Sequence, residues 1–134
     1  DWRLGITKPT DDAAGMNQEL EQIVSSPKPL GMATSGNYRN FYIKDGRKYA
    51  HTIDPREGCP VQRDILSATI VAPDAMTADA YATAFMVLGS EEAKSLCAKV
   101  PGLDYFIICS DSIGDGYHPE YSEGFCRYMV TADK

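Results

Sequence analysis

The segment that most constrains the fold of this chain is a mostly apolar stretch, rich in strong helix formers, between Met76 and Leu88. Alanine, methionine and leucine favour a helix, and Gly89 follows at a position where glycine often ends one. Apolar residues occur on nearly all sides of this predicted helix. Because a helix without a polar face is usually buried between other elements, we expect it to lie against a sheet and to be covered on its other side.

Strand-like segments on both sides of this helix predict the fold class. Ser67–Val71 is apolar and β-branched, Asp45-Gly46 predicts a hairpin turn, and a second helix is predicted over Glu91–Lys99, capped by Ser90. The other predicted strands are Trp2–Ile6, Leu20–Val24, Leu30–Thr34, Tyr38–Ile43, Lys48–Ile53, Leu103–Ser110 and Phe125–Thr131, and the predicted loops are Lys8–Asn17 and Asp111–Gly124. This order predicts an α+β domain with an antiparallel sheet and two helices packed on one face.

Length and charge exclude several classes of protein. The chain has 134 residues, which is the size of one domain. Its 19 acidic and 13 basic residues give a net charge of −6, which opposes binding to nucleic acid. Its longest apolar runs have only a few residues, against roughly 20 for a membrane-spanning helix, so no span is predicted.

The cysteines give little information about metal binding or oxidation. Cys59, Cys97, Cys109 and Cys126 lack the two-residue spacing of a zinc knuckle or a redox motif, so they do not predict a zinc site. Their even number allows disulfides, but buried cysteine is also common as a small core residue. We favour free, buried thiols.

Asp79 and Thr83 are four residues apart and therefore share one face of the predicted helix. A carboxylate and a hydroxyl at this spacing suit part of a Mg²⁺ or Ca²⁺ shell. The alternative is structural: the Asp79 charge favours the helix N-terminus, and the Thr83 hydroxyl bonds a carbonyl of the preceding turn. The structural interpretation is the more common one for such a pair, but an acid in an apolar helix is costly to bury unless a cation or hydrogen bonds compensate it, which weakens that interpretation and leaves both open.

His51 lies at the end of a predicted hairpin strand, where it could act as a general base near neutral pH. Its alternative role is a structural or surface histidine, and His118 in a polar loop has only that interpretation. Ser35 and Gly36 supply a hydroxyl and a small residue where a ligand could approach the backbone, although the same residues are typical of an ordinary turn.

Taken together and in order, these segments resemble the ApbE family of flavin transferases. The matching motifs are Ala33-Thr34-Ser35-Gly36-Asn37-Tyr38, the run from Gly46 to Arg56 with its core Tyr49-Ala50-His51-Thr52-Ile53-Asp54-Pro55, Gly58-Cys59-Pro60-Val61, Ser67-Ala68-Thr69, and Met76-Thr77-Ala78-Asp79-Ala80-Tyr81-Ala82-Thr83-Ala84-Phe85. Trp2–Ile6 resembles a strand in the middle of the family's chain, and Ser122–Phe125 resembles its closing hairpin.

The resemblance implies a Mg²⁺-dependent FAD:protein FMN transferase, which moves FMN from FAD to a Thr or Ser hydroxyl of an acceptor flavoprotein. By match to the family motifs, Asp79 and Thr83 are the metal ligands and His51 is the catalytic base that deprotonates the acceptor. Thr52 matches a residue lining the FAD site. Ser35, Gly36 and Asp54 of the same motifs complete the predicted cofactor-binding set.

The resemblance also sets expectations about the rest of the protein. Family members are about twice as long as this chain, so residues 1–134 are expected to form the C-terminal half of a T-fold-like ApbE domain, with the N-terminal half as its partner and little activity alone. The first residue is not Met and no targeting segment follows, so such a segment is expected to lie upstream or to have been removed. A lipid-anchored position on the outer, periplasmic face of a bacterial inner membrane is expected by resemblance.

Three departures from the family pattern are Asn37, Glu57 and Cys59, where the family frequently has Asp, Thr and an aromatic residue. Two other functions remain open. The chain could be an FAD pyrophosphatase that releases FMN and AMP, or a noncatalytic binding domain whose surface aromatics contact a partner.

Overall fold

A computed structural model describes residues 2–9, 19–37, 41–50, 52–61, 63–111 and 116–131, with side chains at all of these except 41–43 and 47–50. The elements are β1 (Arg3–Thr7), β2 (Leu20–Ser25), β3 (Gly31–Gly36), β4 (Phe41–Lys44), β5 (Arg47–Ala50), β6 (Ile53–Asp54), β7 (Cys59–Pro60), β8 (Ile65–Ala72), α1 (Ala75–Leu88), α2 (Ser90–Lys99), β9 (Asp104–Ser110), β10 (Tyr117–Tyr121), a 3₁₀ helix (Glu123–Tyr128) and β11 (Met129–Val130). None of the helices in these ranges is long and apolar enough to cross a membrane.

A four-stranded antiparallel sheet in the order β10-β9-β8-β3 forms the centre of the fold. β8 is buried along almost its whole length because its residues are small or apolar and it has a neighbour on each side. β3 and β10 are the two edges of this sheet. The edge position of β3 determines where the candidate site lies.

Both helices pack on one face of the central sheet, α1 over β3 and β8 and α2 beside β9. The core between helices and sheet consists of Ile65, Ala68, Ile70, Ala72, Ala78, Ala82, Phe85, Met86, Ala93, Cys97, Leu103, Ile107 and Cys109. The expected α+β class, with an antiparallel sheet and two helices on one face, is confirmed.

A second, three-stranded sheet in the order β1-β2-β11 shares a core with the opposite face of the central sheet. Alternate residues of a strand point to opposite faces, so Val71, Phe106 and Ile108 leave the helix-covered side. They pack instead with Ile6, Val24 and Phe125. The central sheet is thereby covered on both faces.

The exposure of α1 differs from the expectation that other elements would cover both of its sides. Its buried residues are Ala78, Ala82, Phe85 and Met86, which form the stripe over the sheet. Met76 is 80% exposed, and Asp79 and Thr83 are exposed as well. One sheet covers only one side of a helix, and small or polar residues on the other side cost little when they meet water.

Several local predictions hold and several do not. The hairpin forms as β4 and β5 with Asp45 and Gly46 at positive φ, while residues 38–40 and 51 of its predicted strands lie outside the described residues. The predicted loop Asp111–Gly124 contains β10, whose Pro119 lacks an N–H and is tolerated because β10 is an edge strand. The predicted strand Phe125–Thr131 is a 3₁₀ helix followed by the two-residue β11.

The 3₁₀ helix forms at the C-terminus because two neighbouring residues require it. Phe125 is fully buried, with its ring 5.5 Å from that of Phe106. A Cβ on Gly124 would lie 2.1 Å from a carboxylate oxygen of Asp104, so the chain turns tightly against β9 at this point.

The cysteine prediction is half correct. All four cysteines have free thiols, and Cys97 and Cys109 are buried. Cys59 and Cys126 are exposed, because they lie in the turn-rich β7 segment and in the 3₁₀ helix rather than in the core. The predicted loop Lys8–Asn17 lies largely outside the described residues.

Candidate active site

The start of α1 is fixed by the side chain of Asp74 and by a glycine beneath it. The Asp74 carboxylate accepts hydrogen bonds from the Thr77 N–H at 2.8 Å and from the Thr77 hydroxyl at 2.9 Å, which caps the helix. A Cβ on Gly31 would lie 2.0 Å from the Asp74 carbonyl carbon. Only glycine therefore lets the N-terminus of α1 sit against the edge strand β3.

This seating places the predicted metal ligands on an open face. Asp79 and Thr83 are exposed on α1, which packs over β3. The Thr83 hydroxyl donates to the backbone carbonyl of Asp79 at 3.1 Å, which is the structural role weighed for it above. The Ser35 hydroxyl lies 3.4 Å from the Thr83 hydroxyl. The structure therefore brings the hydroxyls of Ser35 and Thr83 and the backbone carbonyl of Asp79 together.

The hydrogen bond of Thr83 does not prevent metal binding. Its hydroxyl hydrogen points to the Asp79 carbonyl, so the lone pairs of its oxygen remain available. The Asp79 carboxylate has no hydrogen-bond or ion-pair partner among the residues that the structure describes. Carboxylate and hydroxyl oxygens are the ligand types of Mg²⁺. The donor set at this face thus fits a hard divalent cation.

Ser67 and Thr69 are buried hydroxyl residues that the sequence analysis did not select. Thr69 shares a 2.8 Å hydrogen bond with Thr34, whereas the Ser67 hydroxyl has no partner within the described ranges. Ser67 pairs with Gly36 across the sheet. A serine within the otherwise apolar β8 segment is the signal that could have identified it. Gly36 itself ends β3 directly after Ser35.

Asp54 is buried in the turn between β6 and β7, where arginines surround its carboxylate. One oxygen accepts from the Arg56 backbone N–H at 2.9 Å and from Arg56 Nε at 3.1 Å. The other accepts from Arg56 Nη2 at 2.9 Å and from Arg63 Nη2 at 3.3 Å. These hydrogen bonds, those from the Arg56 side chain above all, hold the pKa of Asp54 well below its usual range.

The two arginines attach this turn to the helices. Arg63 Nε donates to the Val87 carbonyl at 3.2 Å, near the end of α1. Arg56 reaches Glu92 at the start of α2, with a nitrogen–oxygen distance of 3.7 Å. Because Val87 is one helical turn beyond Thr83, the turn is anchored next to the C-terminal half of the same helix.

The remaining predicted residues have different positions. Thr52 is partly buried and its carbonyl accepts a 3.0 Å hydrogen bond from the Val61 N–H, which closes the base of the β6–β7 hairpin. His51, the predicted catalytic base, lies outside the described residues. Within the described residues, no hydrogen bond or ion pair joins the Asp54 turn to Asp79, Thr83 or Ser35. The roles of all these residues toward a cofactor remain predictions.

Comparison with known proteins gives consistent matches. The family model described as the ApbE family matches residues 1–107. The chain is 38% identical over 130 residues to the FAD:protein FMN transferase of Escherichia coli (strain K12), covering 97% of this chain and 35% of that protein.

Solved structures give the same result at the level of fold. The ApbE protein of Thermotoga maritima has a TM-score of 0.76 and 29% identity, covering 97% of this chain and 38% of that chain. For the flavin transferase ApbE from Vibrio cholerae, the TM-score is 0.73 with 33% identity, covering 95% and 37%. The chain spans about a third of the length of the curated relatives it matches, rather than the expected half.

Proposed function

The chain belongs to the ApbE family, and from this premise we propose that it provides the metal-binding part of a Mg²⁺-dependent FAD:protein FMN transferase. Asp79 and Thr83 would bind Mg²⁺, and Ser35 and Gly36 would line the same site at the end of β3. Thr52 and Asp54 belong to the β6–β7 hairpin, which would form another side of the FAD site. The substrate would be FAD, and the acceptor would be a Thr or Ser hydroxyl of a flavoprotein.

The observation that carries this proposal is the convergence of oxygens on the open face of α1. The Ser35 and Thr83 hydroxyl oxygens are 3.4 Å apart, and Asp79, one helical turn before Thr83, adds an exposed carboxylate on the same face of α1. Two adjacent ligands of an octahedral Mg²⁺ lie about 3 Å apart, so a small adjustment would let both oxygens face one ion. No lysine or arginine of the described part of the chain pairs with Asp79, which leaves its charge for a cation.

The chemistry of phosphoryl transfer explains why these residue types suit the reaction. Mg²⁺ neutralises the charge that develops on a diphosphate as it is cleaved. The acceptor oxygen would attack the FMN phosphorus, the bond from this phosphorus to the bridging oxygen would break, and AMP would leave. The hydroxyl proton of the acceptor would pass to His51. Asp79 and Thr83 would hold the Mg²⁺ ion that supplies this charge neutralisation.

The Asp54 turn would support the site without binding the metal itself. Both Asp54 oxygens already accept hydrogen bonds from Arg56 and Arg63. The same arginines attach the turn to α1 and α2. A rigid turn at this position would fix Thr52, and with it the adjacent His51, relative to the helix that carries Thr83.

A chimera tests the proposal directly. In the Escherichia coli relative, the 130 matching residues are replaced by those of this chain, and covalent FMN on an acceptor protein is measured by in-gel fluorescence and mass spectrometry. The proposal predicts Mg²⁺-dependent transfer that Asp79→Ala abolishes. Glu91→Ala, which removes an exposed carboxylate of α2, is the matched control and should retain transfer.

Two results would contradict the proposal. A folded chimera that binds FAD but transfers no FMN would favour a noncatalytic domain, and release of FMN and AMP without an acceptor adduct would favour a pyrophosphatase. Full transfer by the Asp79→Ala chimera would reject the metal assignment. The position on the outer face of a bacterial inner membrane, with an N-terminal part as partner, is a further part of the proposal, and cell fractionation would test it.

A further inference from the structure

A second group of metal-ligand side chains lies on β9 and β10, apart from Asp79 and Thr83. Cys109, His118 and Glu120 each offer one ligand atom, and these three atoms all lie within 4.8 Å of one another. We propose that Cys109, His118 and Glu120 bind a zinc ion. This inference does not depend on the flavin transferase proposal.

The pairing of the two strands brings the three residues together. β10 runs antiparallel to β9, with His118 directly opposite Cys109. Residues opposite each other in a sheet point to the same face, so the imidazole and the thiol are neighbours. Glu120 is two residues after His118 and therefore points to that face too. Residues from two neighbouring strands thus converge on one side of the sheet.

The distances approach those of a tetrahedral zinc site. Cys109 Sγ lies 3.3 Å from Glu120 Oε2, and His118 Nε2 lies 3.4 Å from the same oxygen. With metal bonds of about 2.3 Å to sulfur and about 2.0–2.1 Å to nitrogen or oxygen, tetrahedral ligand atoms are separated by about 3.3–3.6 Å. Only small rotations of the side chains are needed to place one ion between the three.

Neighbouring groups orient two of the three ligands toward that position. The Asp111 carboxylate is 2.5 Å from His118 Nδ1, so Nδ1 carries a hydrogen, and Nε2 is the nitrogen that would bind the metal when the ring is neutral. The Lys94 ammonium contacts Glu120 Oε1, which leaves Oε2 toward Cys109 and His118. A carboxylate behind a metal-binding histidine is the usual outer-sphere arrangement in zinc sites.

The mixture of ligand atoms selects zinc rather than magnesium. A thiolate and an imidazole are ligands for borderline metals such as zinc, whereas magnesium prefers oxygens. Binding would form one Zn–S bond and release the thiol hydrogen of Cys109 to solvent as a proton. Cys109 is buried while His118 is about half exposed, so the ion would enter from the side of His118. Three protein ligands leave the fourth position to water.

Cysteine spacing could not reveal this site, because only one of its ligands is a cysteine. The zinc motifs sought above need two cysteines close in sequence, whereas Cys109 combines with ligands from the neighbouring strand. The alternative is that the same groups form only a hydrogen-bond network that holds the edge strand β10. Metal binding distinguishes the two.

The test uses the full chain with Cys59→Ser and Cys126→Ser as background, because these exposed thiols would bind metal nonspecifically. Co²⁺ is titrated as a spectroscopic probe and displaced by Zn²⁺. In excess Mg²⁺, which fills the proposed site at Asp79 and Thr83, we expect one Co²⁺ per chain, with the visible bands of tetrahedral cobalt and a thiolate charge-transfer band. Cys109→Ser should remove the charge-transfer band, and His118→Gln should weaken Zn²⁺ binding at least about a hundredfold.

Matched variants separate a metal site from a folding defect. Cys97→Ser changes the other buried thiol and should leave Co²⁺ binding intact, as should Asp79→Ala at the proposed magnesium site. His118 is exposed enough that His118→Gln should fold, which circular dichroism checks. Asp111→Asn should weaken Zn²⁺ about 10- to 100-fold through the histidine. Absence of one-to-one binding, or equal Zn²⁺ affinity of folded His118→Gln, would overturn the proposal.

Discussion

Asp54 and Asp79 are both aspartates of family motifs, yet the structure gives them opposite environments. Asp54 is 1% exposed and accepts four hydrogen bonds from Arg56 and Arg63. Asp79 is exposed on α1, and its carboxylate has no partner within the described residues. One acid is fully satisfied by the protein, and the other can still accept a cation.

This difference indicates that the Asp54 region stabilises the fold, whereas the Asp79 region can bind a metal ion. A buried carboxylate costs free energy unless it is paired, and Asp54 is paired with two partly exposed arginines that link its turn to the helices, so Asp54 contributes to the fold. An exposed carboxylate without a partner in the described residues, such as that of Asp79, contributes little to the fold and can bind an ion. Substitutions should therefore separate the two regions: one set should change stability, and the other should change metal affinity.

The largest expected effect is that of Asp79→Ala on metal affinity. Loss of the charged member of the two proposed ligands should weaken Mg²⁺ binding by at least about a hundredfold, as measured by calorimetry. The thermal midpoint should stay unchanged because the side chain is exposed and unpaired. A fall of several degrees in the thermal midpoint, with Mg²⁺ affinity retained, would show that Asp79 stabilises the fold as Asp54 does. The two aspartates would then not differ in role.

The second prediction concerns Asp54→Ala. This substitution leaves the Arg56 and Arg63 guanidinium groups without their carboxylate and should lower the thermal midpoint by several degrees, with Mg²⁺ affinity changed less than about threefold. Arg56→Lys, which keeps the charge but loses the bidentate contact with Asp54, should give a smaller decrease in the thermal midpoint. Loss of Mg²⁺ binding by a folded Asp54→Ala variant would place Asp54 in the metal site instead.

Thr83 gives a third, smaller effect that refines the Asp79 result. Thr83→Val removes one neutral ligand while preserving shape, so Mg²⁺ should bind about tenfold more weakly, with stability within about 0.5 kcal/mol of the parent. Thr83→Ser keeps the hydroxyl and serves as the control. If Val and Ser variants bind equally well, the hydroxyl has no part in binding.

The smallest effect is the pH dependence of the Asp54 contribution. Because its pKa is lowered in the folded protein, the stabilisation is complete above the unfolded pKa of about 3.9 and is lost as the pH falls through the folded value. The difference in thermal midpoint between the parent and Asp54→Asn should be constant from pH 8 to 5 and narrow below about pH 4. Scanning calorimetry at pH 7, 5 and 3 measures it, and a gap that widens in acid would contradict this account.

The elements that the sequence predicts well are those set by local composition. α1, β8 and the β4–β5 turn follow from helix formers, β-branched residues and an Asp-Gly pair within a few positions. The strand β10 was missed because Pro119 argues against a strand unless its edge position is known, which requires the whole sheet.

In the candidate site, too, the features that depend on local sequence could be predicted, and those that depend on tertiary structure could not. The spacing of Asp79 and Thr83 is a local property of a helix, so their shared face was predictable. The approach of Ser35, which is 48 positions from Thr83, and the pairing of Asp54 with Arg63 depend on tertiary structure. Whether an acid is exposed depends on which side of α1 the sheet covers, and an apolar sequence on all sides of the helix could not reveal that.

The most direct measurement of the central claim is an anomalous difference map from crystals of the chain soaked in Mn²⁺, which replaces Mg²⁺ at oxygen sites. The account predicts a peak about 2.0–2.4 Å from a carboxylate oxygen of Asp79 and from Oγ1 of Thr83. A map with no peak at this face of α1, or with Mn²⁺ bound by the Asp54 carboxylate, would contradict it.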